Sequence, residues 1–236
     1  MKAVLLAGGK GTRLAPYTTI LPKPLMPVGD MPILEIVIRQ LVRCGFDDIT
    51  LAVGHLAELI MAYFSDGKKF DVKLSYSREP VALGTAGPIS LVPELRETFL
   101  VMNGDLLTSL DFAEMWRYHR QRGAIGTLAI FPRDEKIDFG VIEADAEGWV
   151  RTYIEKPIYH YSVSTGIYIF EPAVLKYIPK GTRLDLPDLV LTLLRQGEKV
   201  SAFSYAGHWL DIGRKDDYES ALRLYESNPK AFFPGT

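Results

Sequence analysis

Residues 3 to 14 read Ala-Val-Leu-Leu-Ala-Gly-Gly-Lys-Gly-Thr-Arg-Leu, and Lys23 follows nine positions after Leu14 in Leu21-Pro22-Lys23-Pro24-Leu25. The apolar run Ala3-Val4-Leu5-Leu6 predicts a parallel strand buried on both faces. It empties directly into a loop carrying Gly8, Gly9, Lys10, Gly11 and Arg13. Glycines let backbone N–H groups approach an anion closely, and the cations neutralise charge that peptide dipoles alone do not. A nucleoside triphosphate is the expected cargo; a glycine turn with solvated charges is the plainer alternative. A Walker A loop would need Ser or Thr directly after Gly-Lys, where Gly11 stands, and a dinucleotide fingerprint would need a small residue at Leu14. Pro16, Pro22, Pro24 and Pro27 also forbid the long helix that a dinucleotide loop opens.

Beyond this loop, alternation of apolar β-branched segments with amphipathic ones predicts an α/β fold with helices covering a parallel sheet. Strands are expected over 2–6, 49–53, 72–76 and 98–102, and helices over 32–44 and 56–64, with Pro32 in a first helical turn. Asp111 is placed to cap a helix over 112–122. Segments 124–131, 140–143, 150–155 and 162–170 predict a partly antiparallel extension of the same sheet. Helices over 186–195 and 215–225 flank a short strand at 199–203. The chain reads as a single domain over 1–236 with a nucleotide lobe to about residue 110 and a co-substrate lobe beyond it.

Composition bounds the partners. With 236 residues, 47% hydrophobic and 24% charged, a sizeable core is expected. Lys and Arg total 27 against 29 Asp and Glu, a net charge of -2 that supports neither a nucleic-acid nor a membrane surface. Cys44 stands alone, so no intramolecular disulfide forms, and its apolar setting predicts a buried, inert thiol. Without a leader-like or membrane-spanning run, the expected location is the cytoplasm. The tail Ala231-Phe232-Phe233-Pro234 suits packing on the core or on a second subunit of a homodimer.

Two carboxylates carry the chemistry. Phe99-Leu100-Val101-Met102 runs into Asn103-Gly104-Asp105, which puts Asp105 at the C-terminal edge of a buried strand, where open α/β sheets bind ligands. An Asx turn ending the strand is the alternative there. Asp211 lies in Gly207-His208-Trp209-Leu210-Asp211-Ile212-Gly213. Two hard oxygen ligands from separate loops suit Mg2+, which keeps waters and substrate phosphates in its shell. Arg13, Lys23 and Lys156 are placed as point charges for different phosphates, and Pro22 and Pro24 aim Lys23. His208, beside Trp209, is read as structural.

The segments LAGGKGTRL, LPKPLMPVGDMPILE, LGTAGPI, VMNGD, FGVIE, IEKP, STGIYIF and WLDIG occur in this order and closely resemble the sugar-1-phosphate nucleotidylyltransferases over about residues 1–225. The resemblance implies a Rossmann-like three-layer α/β/α nucleotide-diphospho-sugar transferase fold with a mostly parallel mixed central sheet. It implies a catalytic domain without the β-helix that some relatives append. The implied reaction joins a nucleoside triphosphate and a sugar 1-phosphate by attack on the α-phosphorus, with pyrophosphate leaving. By the same resemblance Leu6, Ala7, Gly8, Gly9, Gly11, Thr12 and Arg13 hold the triphosphate, Lys23 neutralises the reacting phosphates, and Glu79, Gly84 and Thr85 face the base. Asp105 and Asp211 hold the metal. Asn103, Gly140, Glu155, Lys156 and Gly166 line the sugar-phosphate pocket. The LGTAG form resembles the guanylyltransferase branch, which implies GTP with mannose 1-phosphate or a heptose 1-phosphate; UTP and dTTP stay open. Two other classes remain in play, a noncatalytic nucleotide-sugar-binding subunit and a glycosyltransferase, though the Asp-x-Asp triplet typical of the latter is missing around Asp105.

Overall fold

Lys2–Ala7 forms β1 near the centre of a seven-stranded sheet in the computed structural model, which describes residues 1–233. Two short strands, β2 (Pro27–Val28) and β3 (Met31–Pro32), lead into helix α1 (Ile33–Arg43). Then come β4 (Asp48–Val53), α2 (Ala57–Phe64), β5 (Lys73–Arg78), β6 (Phe99–Asn103), β7 (Leu106–Thr108) and α3 (Phe112–Arg122). The second half supplies β8 (Gly126–Lys136), β9 (Val141–Ala144), β10 (Val150–Ile154), β11 (Ile158–Phe170), α4 (Leu186–Arg195), β12 (Val200–Ser204), β13 (Trp209–Asp211) and α5 (Lys215–Ser227).

The sheet order is β12-β8-β11-β6-β1-β4-β5. Strands β1, β4, β5 and β6 run parallel, β12 parallels β8, and β11 runs antiparallel to both β6 and β8. This is the mostly parallel mixed sheet that the sequence predicts. Alternation along β1 feeds two cores at once: Ala3, Leu5 and Ala7 join one, Val4 the other. Leu34, Ile60 and Met115 bring α1, α2 and α3 onto the first face, and Leu186, Leu189 and Leu193 bring α4 onto the second, which makes three layers.

A third core positions the site. Leu14 after the glycine loop, Met26 after Lys23, Leu107 of β7 and Ile212 beyond β13 pack with Ile33, Ala221, Tyr225 and Phe232. Burying these side chains together fixes these four segments against α1 and α5, each large apolar group contributing about 1.5–3 kcal/mol. The tail therefore packs on its own chain at Phe232, which is 1% exposed; Pro234 lies outside the described residues.

Several expectations are corrected. Residues 141–144 and 150–154 do not extend the main sheet; β9 and β10 pair only with each other as a two-stranded ribbon between β8 and β11. Pro32 stands at the N-cap of α1 rather than inside its first turn. Asp111 does cap α3, its Oδ1 accepting from the Glu114 N–H at 2.9 Å. Cys44 is half-buried rather than buried, and desolvation raises its thiol pKa, which keeps the sulfur protonated and unreactive.

Behind the sheet, His119 is 1% exposed between Thr127 Oγ1 (2.7 Å) and Glu171 Oε1 (3.2 Å). Burial lowers its pKa, against the opposing pull of Glu171. The fold therefore favours the neutral ring, so its contribution is complete above pH 6.5 and is lost as pH falls towards the depressed value. Wild-type protein should lose roughly 3 °C more in Tm between pH 7 and pH 5 than His119→Gln does. Parallel pH profiles of the two would refute this.

Candidate active site

At the C-terminal edge of the sheet, β1 leads into a loop whose glycines have separate reasons. Gly11 adopts φ +60, and a Cβ there would meet Thr18 Cγ2 at 2.9 Å; Thr18 Oγ1 in turn donates to Gly11 O at 2.8 Å. A side chain at Gly8 would strike the Glu79 carboxylate. At Gly9 a Cβ would meet nothing within 4 Å and the backbone is not left-handed, so neither conformation nor packing demands glycine. Glycine there leaves the main chain open to close approach from the cavity.

Two adjoining cavities open here, sharing Leu6, Gly9 and Asp105. The first, of about 300 Å³, is lined by Leu6, Ala7, Gly9, Gly11, Thr12, Arg13, Lys23 and Asp105, with Lys10 and Pro24. The second, of about 310 Å³, is lined by Gly8, Glu79, Gly84, Thr85, Asn103 and Asp105, with Ala82, Pro88 and Arg183. Together they bring the nucleotide residues inferred from the sequence to one sheet edge.

Asp105 and Asp211 are set by backbone pairing. β13 runs antiparallel to β7 with Asp211 opposite Leu106, and the Ile212 N–H donates to Asp105 O at 3.3 Å. The carboxylates flank Lys23, whose Nζ donates to Asp105 Oδ2 and lies 3.8 Å from Asp211 Oδ1. Pro22 is extended and Pro24 opens the short turn Lys23–Leu25, which leaves Lys23 only 8% exposed. Arg13 closes the far side; its guanidinium lies so near Gly213 that a Cβ there would sit 3.3 Å from Nη2. Burial and then the Asp105 carboxylate hold Asp211 above the ordinary carboxylate range, while Lys23 and Arg13 pull it down.

The donor set fits a divalent ion. Asp105 Oδ1 is buried without a hydrogen-bond partner among the described residues, and the Lys23 ammonium stands between the two carboxylates. Two aspartates are too few for a complete protein cage, which suits Mg2+ completed by waters and phosphate oxygens. No group of three or more His, Cys, Asp and Glu able to hold a metal occurs among the described residues.

Opposite the loop, Gly84 and Thr85 clasp the start of α4. Asp185 Oδ1 accepts from the Thr85 N–H at 3.0 Å, and Thr85 Oγ1 accepts from the Leu186 N–H at 2.7 Å. The Thr85 hydroxyl is thus committed to the fold. The clasp also brings in Arg183, which sequence reasoning missed. Glu79 Oε2 accepts from the Leu83 N–H at 3.0 Å, and desolvation raises its pKa.

Of the residues expected around a sugar phosphate, Asn103 lines the second cavity, and Gly166, at φ +77, leaves the space that Asn103 Nδ2 fills, 2.7 Å from where a Cβ would stand. Gly140, Glu155 and Lys156 lie apart on the β9–β10 arm and line neither cavity. Glu155 and Lys156 are exposed there, with Lys156 held at φ 45. His208 is structural, its backbone exchanging hydrogen bonds with Ser109.

A mostly parallel sheet thus carries a glycine cradle, cations and two aspartates at the strand ends, the edge at which open α/β sheets take ligands. The family model described as Nucleotidyl transferase matches residues 2–228, and the chain belongs to that family. A UTP–glucose-1-phosphate uridylyltransferase from Synechocystis is 40% identical over 94% of this chain and 63% of its own length. A mannose-1-phosphate guanylyltransferase catalytic subunit beta from Xenopus tropicalis is 34% identical over 95% of this chain and 64% of its own. The chain thus spans slightly less than two thirds of these relatives. Among solved structures, a candidate glucose-1-phosphate thymidylyltransferase from Bacillus anthracis, in complex with sucrose, superposes with TM-score 0.78 at 25% identity, covering 95% of this chain and 94% of that one. HddC from Yersinia pseudotuberculosis, complexed with GMP-PN, has TM-score 0.72 at 22% identity over 95% and 99% of the two chains, a likeness of fold. The architecture is that of the nucleotide-sugar transferases. No helix among the described residues is long and apolar enough to cross a membrane.

Proposed function

We propose that this protein is a sugar-1-phosphate nucleotidylyltransferase, converting a nucleoside triphosphate and a sugar 1-phosphate into a nucleotide-diphospho-sugar and pyrophosphate. The observation that carries this is the placement of Asp105, just before β7, and Asp211, opposite Leu106 on β13, on either side of a buried Lys23 and beside the glycine cradle. A purely binding subunit would gain nothing from keeping two carboxylates and an ammonium in partial burial.

The glycine loop and Arg13 grip the triphosphate, and Arg13 stabilises departing pyrophosphate. Lys23 neutralises oxygens that would otherwise repel an anionic nucleophile. Asp105 and Asp211 are the ligands for Mg2+, which when bound lends Lewis-acid character to the α-phosphate. No covalent intermediate is required, because the attacking phosphate is already ionised; the chain's task is alignment and charge compensation. Lys156 and Glu155, from the arm, take the sugar phosphate and sugar hydroxyls.

GTP is the preferred nucleotide, with mannose 1-phosphate or a heptose 1-phosphate. The LGTAG segment and the guanylyltransferase relatives support it, and so does Glu79, since guanine offers two adjacent N–H donors to one carboxylate. Uridylyl transfer is the second reading, favoured by the 40% identity to the Synechocystis enzyme. Pyrophosphate release should require both substrates and a divalent ion, and be fastest with GTP among the four common triphosphates. Rates with UTP or dTTP equal to or above that with GTP would overturn the guanine assignment; no release with any pair would overturn the activity. Glu79→Gln should lower kcat/KM for GTP by about tenfold relative to that for UTP.

A further inference from the structure

Gly140 immediately precedes β9, and its backbone is not left-handed, so conformation does not require glycine. Space does. A Cβ there would stand 2.5 Å from Tyr153 Oη and 2.6 Å from Tyr153 Cζ. Tyr153 belongs to β10, pairs with Ile142 across the ribbon, and is 61% exposed. Its hydroxyl donates to Glu155 Oε2 at 2.9 Å, and the other oxygen of Glu155 lies 3.9 Å from Lys156 Nζ. Glu155 follows directly after the last residue of β10, and the hydrogen bond is what holds its side chain against that of Tyr153.

A tyrosine that is mostly exposed, its hydroxyl end over a glycine, buries too little apolar surface to do much for folding. Its effect is on Glu155. A free glutamate in a two-stranded ribbon samples several rotamers; one bonded to a phenol beside a lysine presents its remaining acceptor positions in one direction. We propose that Tyr153 is a positioning residue that orients Glu155 towards the sugar hydroxyls, and that Gly140 is glycine to seat the Tyr153 ring rather than to make room for the sugar itself. This rests on the reading above in which Glu155 faces the sugar. The class of ligand is the polyhydroxylated ring of a sugar 1-phosphate, recognised by an oriented carboxylate.

The test is a set of steady-state measurements on the full chain with GTP and mannose 1-phosphate, or with whichever pair turns over fastest. The variants are Glu155→Ala, Tyr153→Phe, Tyr153→Ala, Gly140→Ala and the double variant Gly140→Ala/Tyr153→Ala. Tyr153→Phe should raise KM for the sugar phosphate roughly fivefold, with kcat and the KM for the triphosphate changed by less than about twofold. Gly140→Ala should match it, and should add nothing in the Tyr153→Ala background, because both changes remove one interaction. Unchanged sugar KM in Tyr153→Phe alongside a raised KM in Glu155→Ala would overturn the positioning role while leaving the site reading intact. If Glu155→Ala itself leaves the sugar KM unchanged, the site reading fails first. A Gly140→Ala penalty that persists in the Tyr153→Ala background would return that glycine to direct contact with the sugar. Circular dichroism and Tm matching wild type keep each variant interpretable.

Discussion

Asp105→Asn and Asp211→Asn are each expected to cut turnover by about 10³-fold, and to weaken Mn2+ binding measured directly by titration without substrate. The amide keeps the size of the side chain and removes the charge that a hard cation requires. What makes the experiment discriminating is its stability arm. The ionised Asp211 is disfavoured by burial and by Asp105, so its folded-state pKa lies above the ordinary value. A raised pKa stabilises the protonated fold at low pH, and that advantage is lost as pH rises through the shifted value. At neutral pH the charge is a net burden, so Asp211→Asn should melt at or above the wild-type temperature in metal-free buffer. Lost activity together with an equal or higher Tm is the signature of a group kept for chemistry. Near-normal turnover with Mg2+ would falsify the metal assignment.

Lys23→Met should lower kcat by about 10²-fold or more, and its stability change should have the opposite sign. Lys23 is buried, and its ammonium is the cation between the two carboxylates. Removing one partner from a buried ion pair leaves the other uncompensated, so the variant should melt roughly 3 °C or more below wild type without metal. Added Mg2+ should recover much of that loss, since a divalent ion can take over the compensation that the ammonium gave. Lys10→Met in the exposed part of the loop serves as the comparison, with little effect on Tm. A Lys23→Met protein that turns over normally would show the buried ammonium to be a packing element.

Much of this site was legible in the sequence because its signals are local. The β1 run, the glycines after it and the Asn103-Gly104-Asp105 exit each declare themselves within a few residues, and Asp111 caps α3 by a bond three residues long. What stayed hidden depends on partners far along the chain. β7 and β13 have three residues each, too few to show a period, and only their mutual pairing makes them strands. Arg183 enters the second cavity because Thr85 holds Asp185 and Leu186, about a hundred residues away. Alternation in 141–144 reads the same whether the strand joins a large sheet or a ribbon, so the detached arm had no sequence signature. The glycines at 140 and 166 could be singled out as tight places; which side chain fills each space is a tertiary fact.

The β7–β13 ladder joins two distant stretches of the polypeptide. All strands of the seven-stranded sheet lie between Lys2 and Ser204, and the glycine cradle, Lys23 and Asp105 lie earlier still. Asp211 arrives on the last strand, after the scaffold has closed. The two carboxylates thus come from stretches more than a hundred residues apart, one inside the scaffold and one beyond it, and a lesion confined to residues 209–211 would remove one of them while leaving every strand of the large sheet in place.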